Sequence, residues 1–93
     1  MKIVFEWDEE KRQNNIEKHG VDFPDAADVF EDPEVSILPD LREDYGEDRF
    51  NAYGFSNGRK MRVCFTLRND KIRVITMFKA NERDWRKYYG KNN

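Results

Sequence analysis

Residues 49–79, RFNAYGFSNGRKMRVCFTLRNDKIRVITMFK, decide the fold. Asn57-Gly58 is a strong two-residue hairpin signal because both residue types tolerate positive φ, and Asn69-Asp70 offers a second, weaker one. Around these turns lie β-branched and aromatic residues, so three antiparallel strands are predicted. Register follows by counting outward from each turn. Phe55 then faces Lys60, Tyr53 faces Arg62, Asn51 faces Cys64 and Arg49 faces Thr66. From the second turn, Arg68 pairs with Lys71, Thr66 with Arg73, Cys64 with Ile75 and Arg62 with Met77.

The count sorts the side chains onto two faces, because neighbours along a strand point to opposite sides. One face gathers Phe50, Ala52, Gly54, Met61, Val63, Phe65, Leu67, Ile72, Val74, Thr76 and Phe78, an apolar surface that helices must cover. In this register Phe78 lies opposite Met61, inside the core. The other face displays Arg49, Tyr53, Phe55, Lys60, Arg62, Arg68, Lys71 and Arg73, with no acid among them.

Working outward, Lys2 to Trp7 reads as a first strand. Asp8 is placed to cap a helix running to about His19, with Glu9 and Glu10 in its first turn and Gly20 at its left-handed end. A second helix starts near Pro24, since Phe23, Ala26, Ala27 and Phe30 form one apolar stripe, and it stops at Asp32-Pro33. Val35 to Leu38 makes a short strand, and Pro39 to Asp48 an acidic loop. The last helix is expected over Asn81 to Tyr89, followed by a frayed tail at 90–93. The expectation is one α+β domain over 1–93.

Composition sets bounds on function. Of 93 residues, 38% are hydrophobic, 39% charged and 14% aromatic, so large rings must build a small core. No apolar run approaches the length of a membrane span, and MKIVFEWDEE lacks a signal-peptide layout, which points to the cytoplasm and away from membranes. A lone Cys64 forms no internal disulfide, and one Cys with one His builds no zinc site, so neither metal nor cofactor is expected. The net charge of -2 conceals a split. Residues 1–58 hold six Lys and Arg against sixteen Asp and Glu, whereas residues 59–93 hold eleven against three. Such asymmetry suggests an electrostatic footprint on one part of the fold.

A basic sheet face with interleaved aromatics suits an RNA backbone with stacked bases. It also suits an acidic protein segment, or merely a solvated sheet face. His19 is the one histidine, and imidazole is the side chain whose ordinary titration lies near neutrality, so it leads the candidates for proton transfer. The alternative makes it a cation favoured at a helix C-terminus.

The assembled residues resemble a known family. Trp7-Asp8, Lys11, Asn15, Lys18-His19-Gly20-Val21, Phe23 and the Ala-rich helix to Val29-Phe30 resemble BrnT toxins of bacterial type II toxin–antitoxin systems. Glu47-x-Arg49, Phe65-Thr66-x-Arg68, and Arg73 to Ala80 with Glu82 continue the likeness. The resemblance implies a RelE/ParE-like α+β fold, with a twisted antiparallel sheet, two N-terminal helices and one C-terminal helix. It also implies ribonuclease activity that arrests translation, and neutralisation by a BrnA-like ribbon-helix-helix antitoxin that carries the pair to operator DNA. The pattern departs at Phe78, where many relatives carry arginine.

RNA cleavage without metal needs a base for the 2′-hydroxyl, charge stabilisation at phosphorus and a proton for the leaving group. His19, Lys79 and Glu82 are the proton-transfer candidates, and Arg68 is expected at the reacting phosphate. Lys18, Arg49, Tyr53, Arg62 and Arg73 are expected to bind RNA. Two further readings remain open: a non-catalytic homologue that titrates the antitoxin, and a plain RNA-binding domain.

Overall fold

The computed structural model describes residues 2–91. Along the chain lie β1 (Phe5–Trp7), α1 (Glu9–His19), a 3-10 turn at Phe23–Asp25, α2 (Ala26–Glu31) and β2 (Ser36–Pro39), then β3 (Phe50–Ser56), β4 (Arg59–Arg68), β5 (Lys71–Lys79) and α3 (Glu82–Tyr88). Both hairpin turns close as predicted. Asn57 and Gly58 have φ of 51° and 72°, and Asn69 and Asp70 have 51° and 64°, the paired positive values of a type I′ turn. Asp8 caps α1 by accepting the Lys11 N–H at 3.1 Å, and Gly20 ends it at φ 67°.

The five strands lie in the order β1-β5-β4-β3-β2. Strands β3, β4 and β5 pair antiparallel as expected, and β1 makes the whole sheet mixed by running parallel to β5, with Phe5 opposite Ile72 and Trp7 opposite Val74. The helical excursion after β1 frees that strand from hairpin geometry, so it can align with the last strand. The α+β class stands.

The predicted register holds from Ser56↔Arg59 to Phe50↔Phe65, and from Arg68↔Lys71 to Thr66↔Arg73. It then breaks. Phe65 pairs with Val74 but Cys64 pairs with Thr76, leaving Ile75 as the extra residue of a β-bulge. A bulge exchanges the faces beyond it. Met77, expected on the polar side, is fully buried in the core, and Phe78 lies opposite Arg62 instead of Met61. The core placement of Thr76 and Phe78 is therefore corrected. Leu67, also expected inside, is 59% exposed.

Two apolar clusters flank the sheet. Phe23, Ala26 and Val29 pack on Ala52, Met61, Val63, Phe65, Val74 and Met77. On the opposite face, Trp85 and Ala80 pack on Tyr53, with Leu38, Tyr88 and Tyr89 around them. Lys91 donates its N–H to Ser36 Oγ at 3.1 Å, so the expected frayed tail is tied down at its start; Asn92 and Asn93 lie outside the described residues. Among the described residues, no helix is long and apolar enough to cross a membrane.

Candidate nucleic-acid interface

The bulge at Ile75 turns Phe78 toward the face that carries Arg62. The His19 ring lies 5.3 Å from the Phe78 ring at an angle of 41°. Arg62 places its guanidinium carbon 5.3 Å from the centre of the same ring. Its Nε donates to Asn51 Oδ1 at 3.1 Å. A row of His19, Phe78, Arg62 and Asn51 thus runs from the end of α1 across β5, β4 and β3.

His19 reaches this row because of Asn15. The register of β1 ends at Val74, so the outer edge of β5 has no strand partner at Met77. The buried Asn15 side chain takes that place. Its Nδ2 donates to Met77 O at 2.8 Å and to Val21 O at 2.9 Å, and its Oδ1 accepts the Met77 N–H at 3.1 Å. His19 follows Asn15 by four residues, hence on the same helix face, above the next residue of β5.

At one end of this sheet face α3 closes over the rings. Tyr53 is only 2% exposed and lies against the tilted Tyr88 ring at 5.3 Å, while Phe55 meets Trp85 at 5.0 Å. The open ring expected of Tyr53 for RNA is therefore not there; burial also pushes its phenol upward in pKa. Glu82 holds Lys60 Nζ at 3.0 and 3.1 Å. Lys79 is exposed but pairs with Met61, so its register puts it on the α1 side of the sheet, away from Arg62. Lys18 is exposed beside His19.

The other arginines meet acids that the face itself lacks. Arg73 pairs with Glu6 of β1 at 3.2 Å. Glu47, from the acidic loop, reaches Arg49 at 3.2 Å and Arg68 at 3.9 Å, and Arg49 also lies over the Tyr45 ring. Arg68 and Arg62 are six residues apart on β4, roughly 20 Å in an extended strand. The candidate residues thus form two groups: His19 with Arg62 at one end, and Arg49, Arg68 and Arg73 at the other. Cys64 between them is buried, and burial pushes its thiol up, so it presents no ready thiolate.

Between α3 and the start of the acidic loop opens a cleft of about 550 Å³, lined by Arg42, Asn51, Tyr53, Arg62, Asp84 and Tyr88 among others. Arg42 grips the buried Asp40 carboxylate at 2.8 and 2.9 Å and holds it well below the usual carboxylate range. The contacts of Asn15 with β5, of Asn51 with Arg62 and of Asp40 with Arg42 join residues that the sequence alone does not bring together. Register alone placed Asn51 beside the basic face, but no local signal marks the other contacts. Among the described residues, no three His, Cys, Asp or Glu side chains gather as a metal-ligating group.

No curated protein matches the chain. A protein-family model does, over residues 7–84, from the last residue of β1 into α3. Its description is the ribonuclease toxin BrnT of type II toxin–antitoxin systems, and the chain belongs to that family.

Proposed function

We propose that this protein is a metal-independent endoribonuclease toxin that cleaves RNA in the cytoplasm and so arrests translation. The observation that carries the reading is the exposed His19 imidazole on the same patch as Arg62, with Phe78 between them. In the reaction, a 2′-hydroxyl loses its proton and attacks the adjacent phosphorus. The bond to the 5′-oxygen breaks, and that oxygen takes up a proton. The products are a 2′,3′-cyclic phosphate and a free 5′-hydroxyl. His19 is suited to one of the two proton transfers and Arg62 to the charge that grows on phosphate. Glu82 and Lys79 remain candidates for the other transfer. Arg68, Arg49, Arg73 and Lys18 are assigned to phosphates along the RNA strand, once Glu47 and Glu6 yield their partners.

The partner of a type II toxin is an antitoxin. Here we propose one of BrnA-like ribbon-helix-helix type, which carries the complex to operator DNA. Incubation of the purified toxin with RNA in EDTA tests the enzyme reading. Cleavage that falls by about a hundredfold or more in His19→Gln supports it. Intact RNA in the presence of excess folded protein overturns it.

One observation favours a second reading. Phe78 puts a phenyl ring where the family pattern leads to arginine, and a toxin weakened there would serve to bind and titrate the antitoxin. Retained antitoxin binding without RNA cleavage is its signature, whereas RNA retention without cleavage marks a plain RNA-binding domain.

A further inference from the structure

The aromatic side chains of this protein are almost all accounted for by packing. Six rings belong to the cluster beneath α1 and α2, and five gather at α3. Tyr45 lies under Arg49. Phe78 belongs to neither cluster. It is half-buried, and the ring partners it has are His19, itself exposed, and the guanidinium of Arg62.

A phenyl ring left beside water forgoes the burial that usually justifies it. Here its outward direction is imposed by the backbone, since without the extra residue at Ile75 the alternation would send Phe78 into the core. The imidazole lies against it at 41°, and His19 itself is exposed to solvent. Two rings in contact, one of them exposed, with a guanidinium beside them match what an unpaired nucleobase needs. Bases of single strands stack on aromatic rings and on guanidinium planes, whereas a duplex hides its base faces.

We propose that the His19–Phe78 ring pair is a stacking platform for an unpaired nucleobase, so that the substrate is single-stranded RNA held by a base as well as by phosphate. Arg62 then lies beside the stacked nucleotide, within reach of its phosphate. The proposal rests on the ribonuclease reading for its choice of ligand, but its test does not depend on cleavage.

The probe is a mixed-sequence single-stranded 2′-O-methyl oligonucleotide, which lacks the nucleophile and stays intact. It is compared with its duplex and with an abasic strand of equal length, by fluorescence anisotropy. Phe78→Leu keeps apolar volume without a ring, and Phe78→Trp keeps a ring; both are checked for folding by circular dichroism. The single strand should bind the parent and Phe78→Trp alike, and bind Phe78→Leu about tenfold more weakly, the scale of one base–aromatic stack. The abasic strand should bind all three equally. Equal affinity of Phe78→Leu and parent for the single strand would overturn the platform, as would equal binding of duplex and single strand. Ring-dependent binding by a parent that leaves unmodified RNA intact would sustain the platform and refute the enzyme reading. Cleavage with no ring dependence would do the reverse.

Discussion

Asn15 pairs with Met77 as a neighbouring strand would, accepting its N–H at 3.1 Å and donating to its carbonyl at 2.8 Å. The side chain is 5% exposed, so water cannot substitute for it. Asn15→Leu would leave three backbone groups, at Met77 and Val21, without partners. The expected loss is about 3 kcal/mol or more in urea unfolding, since each of the three buried orphans costs about 1–3 kcal/mol. Asn15→Asp should also destabilise at neutral pH, because a carboxylate would face two carbonyl oxygens. A variant as stable as the parent would show that the edge of β5 does not depend on this clamp.

The pair of Asp32 and Tyr89 should give stability a two-sided pH dependence. The Tyr89 hydroxyl donates to both Asp32 oxygens at 3.0 and 2.9 Å, and the N–H groups of Phe55 and Glu34 donate to the same carboxylate. Burial raises the Asp32 carboxyl, but these donors together outweigh it and hold it below its ordinary value. Burial, followed by the hydrogen bond to Asp32, pushes the Tyr89 phenol up to about 12. For Asp32 the folded value is the lower one, so its stabilisation is present above the ordinary carboxyl range and is lost as pH falls through the folded value. For Tyr89 the folded value is the higher one, so its stabilisation is present below about 10 and is lost as pH rises toward 12. Urea midpoints of the parent and Tyr89→Phe should therefore differ most near neutrality and converge at high pH. Parallel curves would sink the assignment.

What the sequence revealed, and what it hid, divides at Ile75. Near each turn the register is local chemistry, because Asn57-Gly58 and Asn69-Asp70 dictate the pairing of the residues beside them. Farther out, the choice between Met77 and Phe78 for the core involves Asn15, sixty-two residues away, and no local pattern encodes that contact. Hairpin register puts Tyr53 on its observed face, but its burial depends on Trp85 and Tyr88 folding back from α3. The acids that meet the arginines come from β1 and from the loop, so a count restricted to the sheet face missed them. His19 was legible for a simpler reason, as the one imidazole in the chain. Its neighbours Phe78 and Arg62 became legible only once the bulge was known.

Gly54 lets α2 lie directly on β3. A β-carbon built there would stand 2.8 Å from the Val29 carbonyl oxygen and 3.0 Å from Val29 Cγ1. The first of these is helix backbone, which cannot swing aside. Gly54→Ala should therefore lower stability by about 1–3 kcal/mol through overpacking, despite the favourable loss of unfolded-state freedom. Thermal unfolding of the single variant decides the matter, and an unchanged or higher midpoint would mean that α2 shifts freely.

Phe78→Arg separates packing from charge. In a core position, the exchange would forfeit about 2–3 kcal/mol of burial and leave a charge among apolar neighbours. On the half-exposed face beside His19 and Arg62, the guanidinium can reach water without disturbing Met77. The expected cost is about 1 kcal/mol or less in two-state unfolding, typical of a site near the surface. The same exchange adds a second arginine to the patch and removes a ring from it. On the enzyme reading, kcat for RNA cleavage should rise as transition-state charge is better met, while KM rises with the lost stack. A stability loss of core size would show that Phe78 packs inward in solution. A stable variant with unchanged kcat and KM would show that neither charge nor ring at this position touches the RNA.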